Sequence, residues 1–144
     1  AGRRFRETGG ALFGYEAASD LLIAQANGPG PRAKHRRTRY VPHPDDVQAE
    51  IDEIFAASEG TFRYLGDWHS HPGGRAYPSS VDKKSAEQIA TNSETALPEP
   101  VVLIQATAPL KVHVSITKLA AYRWSLKEKR LLPVDLVTQT IVER

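Results

Sequence analysis

His69 and His71 stand two apart in the stretch HSHPGGRAYPSSVD, and Asp82 follows eleven residues after His71. On an extended strand, side chains at i and i+2 point to one face, with backbone positions about 6.5 Å apart. Two imidazoles so placed can converge on one ion at zinc–nitrogen distances of about 2.0–2.1 Å. A loop returning after His71 can bring the Asp82 carboxylate to the same ion. Three protein ligands leave one position for water, which is the arrangement of a catalytic and not of a structural zinc. A nitrogen and oxygen donor set suits zinc best, although other divalent metals accept it. The chain has no cysteine, so a thiolate ligand, a cysteine nucleophile and a disulfide framework are all excluded.

Each part also has an ordinary explanation. Taken alone, a His-x-His pair is more often a surface or edge-strand feature. Ser79 and Asp82 form S-x-x-D, which taken alone is a helix capping box. The two readings are compatible, because a cap would also fix where Asp82 points. His35, His43 and His113 read as exposed spectators, and His113 alternates with Val112 and Val114 so as to face away from the core.

The elements that must position these residues follow from periodicity and punctuation. Residues 11–17 and 21–26 read as two strands joined by a short Ser-Asp turn, and GPGPR (28–32) as a loop. Residues 37–41 can form a third strand ending at Pro42. A helix is expected over 44–60, capped by Asp45, with Val47, Ile51, Ile54 and Phe55 as its apolar stripe and Gly60 as its stop. Residues 61–71 have strand composition and run into the loop PGGRAYP; a second helix is expected from Ser80 to about Asn92. PVVLIQAT (100–107) reads as a buried strand, followed by a turn at Pro109. KVHVSITKL then alternates as a half-exposed strand should, and YRWSLKEKRLLPVDLV supplies one or two more strands around a charged turn. The sum is a mixed α/β domain with a mostly antiparallel sheet and two helices.

Composition narrows the class. The 144 residues suit a single domain over 1–144, with 40% apolar and 25% charged residues in the ordinary soluble range. No apolar run approaches the roughly 20 residues needed to cross a bilayer, and no signal-peptide pattern opens the chain. With no cysteine in the chain, a cytoplasmic location is the expectation. The chain starts abruptly at AGRRFRETGG and contains no Met, so a missing N-terminal segment is expected. The net charge is only +2. The basic stretch PRAKHRRTR (31–39) can contact phosphates, but it lacks interleaved aromatics and reads first as a solvated loop or edge strand.

His-x-His, seven residues, then S-x-x-D is the pattern of the JAMM (JAB/MPN/Mov34) metallopeptidases, and the chain resembles that family at every fixed position. GDWHSHP, YPSSVD and ETGGALFG resemble it as well. The resemblance implies the JAB/MPN (cytidine-deaminase-like) fold and one zinc ion held by His69, His71 and Asp82. It implies Glu7 as general base, then proton donor to the leaving amine, and Ser79 as hydrogen-bond donor to the developing oxyanion. Trp68, Gly73, Gly74 and Tyr77 would line the substrate channel, unless Pro72, Gly73 and Gly74 simply make a turn.

The flanking sequence is most similar to the small bacterial JAB peptidases of CBASS anti-phage operons. In those systems a ubiquitin-activating and -conjugating-like enzyme attaches the C-terminus of a cyclic-oligonucleotide synthase to target amines, and the peptidase removes it. The implied partner is a protein with an extended C-terminal tail, able to add as a strand beside the site. Only 17 residues separate Asp82 from Pro100, which leaves little room for the long insertion that grips ubiquitin in eukaryotic relatives. A peptidase of a sulfur-carrier protein, a RadC-like nucleic-acid-associated module and a purely structural zinc domain are the alternatives.

Overall fold

Consecutive apolar residues in ALFGYEA and LLIAQA build the first hairpin. There β1 (Gly9–Ala17) pairs antiparallel with β2 (Asp20–Ala26) across a turn at Ala18 and Ser19. The computed structural model describes residues 7–35, 40–111 and 114–139. The short strands β3 (Lys34–His35) and β4 (Tyr40–Val41) pair with each other and lead into helix α1 (Pro44–Ala57). Then come β5 (Arg63–Pro72), helix α2 (Ser80–Thr91), β6 (Val101–Lys111), β7 (Val114–Ser125) and β8 (Arg130–Val134). The main sheet runs β2-β1-β5-β6-β7-β8. Only β5 and β6 are parallel neighbours; α2 makes that crossover, as a parallel connection requires.

Register decides which residues share a face. Ala11 pairs with Asp67, Asp67 with Val102, and Val102 with Tyr122, so all four point the same way. Ala11 and Phe13 pack under Ile54 of α1. Val102, Ile104 and Trp124 pack under Ala86 of α2. Both helices therefore cover one face of the sheet, with the end of β5 between them. Leu12, Leu65 and Val101 form a separate cluster on the other face, with Trp68 and Leu103 against it.

A bulge in β5 sets the facing of its C-terminal half. Leu12 pairs with Gly66 and Phe13 with Tyr64, leaving Leu65 as an extra residue. Gly66 has φ +143, and a Cβ there would collide with the Val101 carbonyl oxygen, so the distortion needs glycine. The extra residue shifts the alternation by one. Tyr64 and Asp67 consequently share the helix-covered face, where the Tyr64 hydroxyl donates to Asp67 Oδ1 at 2.8 Å. His69 and His71 follow Asp67 onto that face.

Several expectations are corrected. Helix α1 is capped by His43 and not by Asp45: Pro44 takes the first helical position, and the His43 ring accepts from the Asp45 amide. His43 is thus half-buried and structural, and His35 is half-buried with its ring 5.6 Å from that of Tyr40. His113 lies outside the described residues, as do 37–39 of the strand expected over 37–41. Phe55 leaves the apolar stripe, being 44% exposed with the Arg63 guanidinium 5.8 Å over its ring. Pro109 does not turn the chain. Strand β6 continues to Lys111, with Pro109 paired to Ser115 beside an irregular register; proline is tolerated at such a distortion.

Candidate metal centre

The antiparallel register of β1 and β5 ends with Gly9 opposite His69. One step further, the Ser70 amide donates to the Thr8 carbonyl at 2.8 Å. One more step sets Glu7 across from His71 on the helix-covered face. Glu7 accordingly feels both histidines and Asp82: burial raises its carboxyl above the ordinary value and Asp82 adds to that, while His71, His69 and the Tyr40 backbone oppose it. Gly9 makes the approach possible, because a Cβ there would lie 2.7 Å from the Tyr40 ring and 3.1 Å from the His69 ring.

Asp82 reaches the same point from the first turn of α2. Ser79 is the N-cap and the capping box is complete: the Ser79 amide donates to Asp82 Oδ2 at 2.8 Å, and the Asp82 amide donates to Ser79 Oγ at 3.2 Å. The cap turns the carboxylate inward, where Oδ1 lies 3.2 Å from His69 Nδ1 and Oδ2 lies 3.2 Å from His71 Nε2. Burial would raise the Asp82 carboxyl, but the two imidazoles and the Ser79 amide outweigh it and hold the group well below the usual carboxylate range. Both histidines are buried. At His69, burial disfavours the charged ring, yet Asp82, Asp67 and Glu7 together raise its pKa; at His71, Asp82 is the leading cause of a rise that burial opposes.

Among the described residues, no three His, Asp or Glu side chains close around a common point as a finished metal cage. The donor set nevertheless fits a cation. Although each is 3.2 Å from a carboxylate oxygen, His69 Nδ1 and His71 Nε2 make no well-formed hydrogen bond and are shut off from solvent. His71 Nδ1 lies 3.0 Å from the Arg75 carbonyl, which can only accept, so Nδ1 carries the proton, and in the neutral ring Nε2 then presents a lone pair towards Asp82. A lone pair facing a carboxylate calls for a positive charge between them. Two tetrahedral ligands on bonds of about 2.0–2.1 Å stand about 3.3 Å apart, close to the separations found here.

The remaining expected site residues separate. Gly73 and Gly74 form the turn after His71, with the Gly74 amide on the His71 carbonyl at 3.1 Å and the Gly73 amide on the Thr107 carbonyl at 2.6 Å. Tyr77 is 65% exposed at the rim. Trp68 does not line the site. It points to the other face, packs on the Leu12 cluster and donates its indole N–H to the Asn27 carbonyl at 2.8 Å. Tyr40 and the Arg75 carbonyl touch the two histidines, and Ser70 bonds to Thr8 beside Glu7, none of them foreseen; only Ser70, between the two histidines, carried a sequence signal.

The family of prokaryotic homologs of the JAB domain matches residues 3–126. The chain belongs to this family. Among curated relatives, a CD-NTase/cGAS isopeptidase of Vibrio cholerae is 32% identical over 91 residues, 63% of this chain and 58% of that protein. A probable metalloprotease of Sinorhizobium fredii is 30% identical over 105 residues, 72% of this chain and 64% of that protein. A CD-NTase/cGAS isopeptidase of Escherichia coli is 34% identical over 79 residues, 55% of this chain and 51% of that protein. The matches thus span between half and two thirds of these relatives' lengths. A solution structure from Desulfitobacterium hafniense superposes with a TM-score of 0.57 at 14% identity, covering 98% of this chain and 85% of that one. One from Salinibacter ruber gives 0.55 at 22% identity, covering 92% and 77%. These two likenesses bear on the fold alone, and they agree with the mixed α/β architecture of the JAB domain.

Proposed function

We propose that this JAB-family protein is a zinc-dependent peptidase that releases a protein C-terminus from an amine. The observation that carries the proposal is the convergence of two buried, hydrogen-bond-free imidazole nitrogens on the Asp82 carboxylate, with Glu7 on the same face. His69, His71 and Asp82 would hold the ion. A bound zinc supplies a Lewis acid that makes water acidic near neutrality and offsets charge on a carbonyl oxygen. Glu7 takes the proton from the attacking water and returns it to the leaving amine. Ser79 Oγ accepts the Asp82 amide, which leaves its own O–H free to donate to the oxyanion. The Arg75 carbonyl keeps His71 in the tautomer whose Nε2 can ligate, the usual task of an outer partner.

For the substrate, the relatives named CD-NTase/cGAS isopeptidase support a cyclic-oligonucleotide synthase joined to a target amine; its attachment through the C-terminus by a ubiquitin-conjugating-like enzyme, in anti-phage defence, follows from the resemblance of the flanking sequence. Only residues 92–100 join α2 to β6, which argues against a ubiquitin-gripping insertion at that point. No helix among the described residues is long and apolar enough to cross a membrane.

The test is cleavage of tail fusions to a synthase, to ubiquitin and to a sulfur-carrier protein, followed by intact mass. The expected result is a metal-dependent cut after the synthase's last residue. His69→Ala should lose metal and activity together, whereas Glu7→Gln should keep metal and lose at least about a hundredfold in kcat, within the range of acid–base catalysis. Full activity in Glu7→Gln would remove Glu7 as the base.

A further inference from the structure

We infer that Ser70, the residue between the two histidines, is a positioning residue that clamps the segment carrying Glu7 against β5. The inference rests on the reading of Glu7 as the base. Strand β1 is hydrogen-bonded as a strand only from Gly9 onward, so Glu7 lies beyond the end of regular pairing. What holds it there is a contact of unusual form. The Ser70 amide donates to the Thr8 carbonyl at 2.8 Å, as a ladder would have it. The return bond does not go to the Ser70 carbonyl; the Thr8 amide donates to Ser70 Oγ at 2.9 Å. The same hydroxyl sits 3.3 Å from the Thr8 carbonyl, to which it can give its own proton.

A side chain thus replaces the main chain in the last rung before Glu7. Alternation along β5 sends Ser70 to the opposite face from His69 and His71, so its hydroxyl is remote from the ion's ligands and acts on the other strand. The ligands have separate supports: the Arg75 carbonyl for His71 and the Ser79 cap for Asp82. Metal binding and base placement are therefore held by different bonds. Removing the Ser70 hydroxyl should loosen Glu7 while leaving the three ligands in place. Threonine keeps the hydroxyl and should serve.

The experiment compares wild type, Ser70→Ala, Ser70→Thr and Glu7→Gln in three readouts: amide exchange at Thr8, zinc affinity by chelator competition, and kcat and KM on whichever fusion the wild type cleaves. In Ser70→Ala the Thr8 amide should exchange at least tenfold faster while the Phe13 amide is unchanged. Zinc affinity should stay within threefold, kcat should fall at least tenfold and KM should stay within twofold; Ser70→Thr should restore all of these. Unchanged Thr8 exchange in Ser70→Ala would overturn the clamp. So would wild-type kcat in that variant, or a loss of zinc as large as the loss of kcat. If Ser70→Ala shows fast Thr8 exchange but Glu7→Gln is fully active, the clamp stands and the assignment of the base fails.

Discussion

At the scale of single residues, the site depends on what is absent as much as on what is present. Gly9 lets the Tyr40 and His69 rings close over the strand, their centroids 6.2 Å apart. A methyl group at Gly9 would collide with the Trp68 carbonyl oxygen as well as meet the Tyr40 and His69 rings at 2.7 and 3.1 Å, and Tyr40 is packed in, only 8% exposed, so β5 must give way beside His69. Gly9→Ala is therefore expected to shift His69 and weaken zinc binding about tenfold, the lower end for damage to a ligand's support. Chelator competition measures this, and circular dichroism should show the fold retained. The histidine pair, Asp82 and Ser79 were all legible in the sequence because motif spacing is local. Trp68 packs on the face opposite His69, because successive strand residues face opposite ways.

At the scale of elements, α1 is fixed by a tie the periodicity does not reveal. Asp46 accepts from the Arg32 amide and from Arg32 Nε, each at 2.9 Å, and its Oδ1 lies 2.7 Å from Arg32 Nη2. Part of the basic 31–39 stretch is thereby committed within the molecule. The Arg32 amide first, and then the guanidinium, hold the Asp46 carboxyl below its ordinary value against a smaller opposing effect of burial. Because the folded value is lowered, the stabilisation is present above the unfolded value of about 3.9 and is lost as pH falls through the folded one. Urea titrations should show Asp46→Asn less stable than wild type at pH 7, with the gap narrowing below about pH 4. A gap independent of pH would mean that the charge of Asp46 contributes nothing.

At the scale of the whole molecule, the sheet face beneath the helices is both core and scaffold. Ile104 is fully buried, packs with Ala86 of α2, and pairs in register with His69. Ile104→Ala should cost about 2–5 kcal/mol, as for other large-to-small changes in a packed core. Urea unfolding checks the value. The loss should also loosen α2, so zinc affinity is expected to fall with stability in this variant and not in Ser70→Ala.

Sequence alone determined the donor types, the strand–loop–helix order around HSHPGGRAYPSSVD, the second helix from Ser80 and the mixed sheet. Each of these rests on local periodicity, caps and motif spacing. The tertiary structure decided which way those residues face. The Gly66 bulge turns His69 and His71 towards the helices, the segment just before the β1–β5 pairing brings Glu7 across 64 positions of chain into the field of His71, and β6 runs on through Pro109. Register and bulges are set by contacts between distant segments, and a one-residue shift reverses every side chain on a strand. No local pattern encodes that choice.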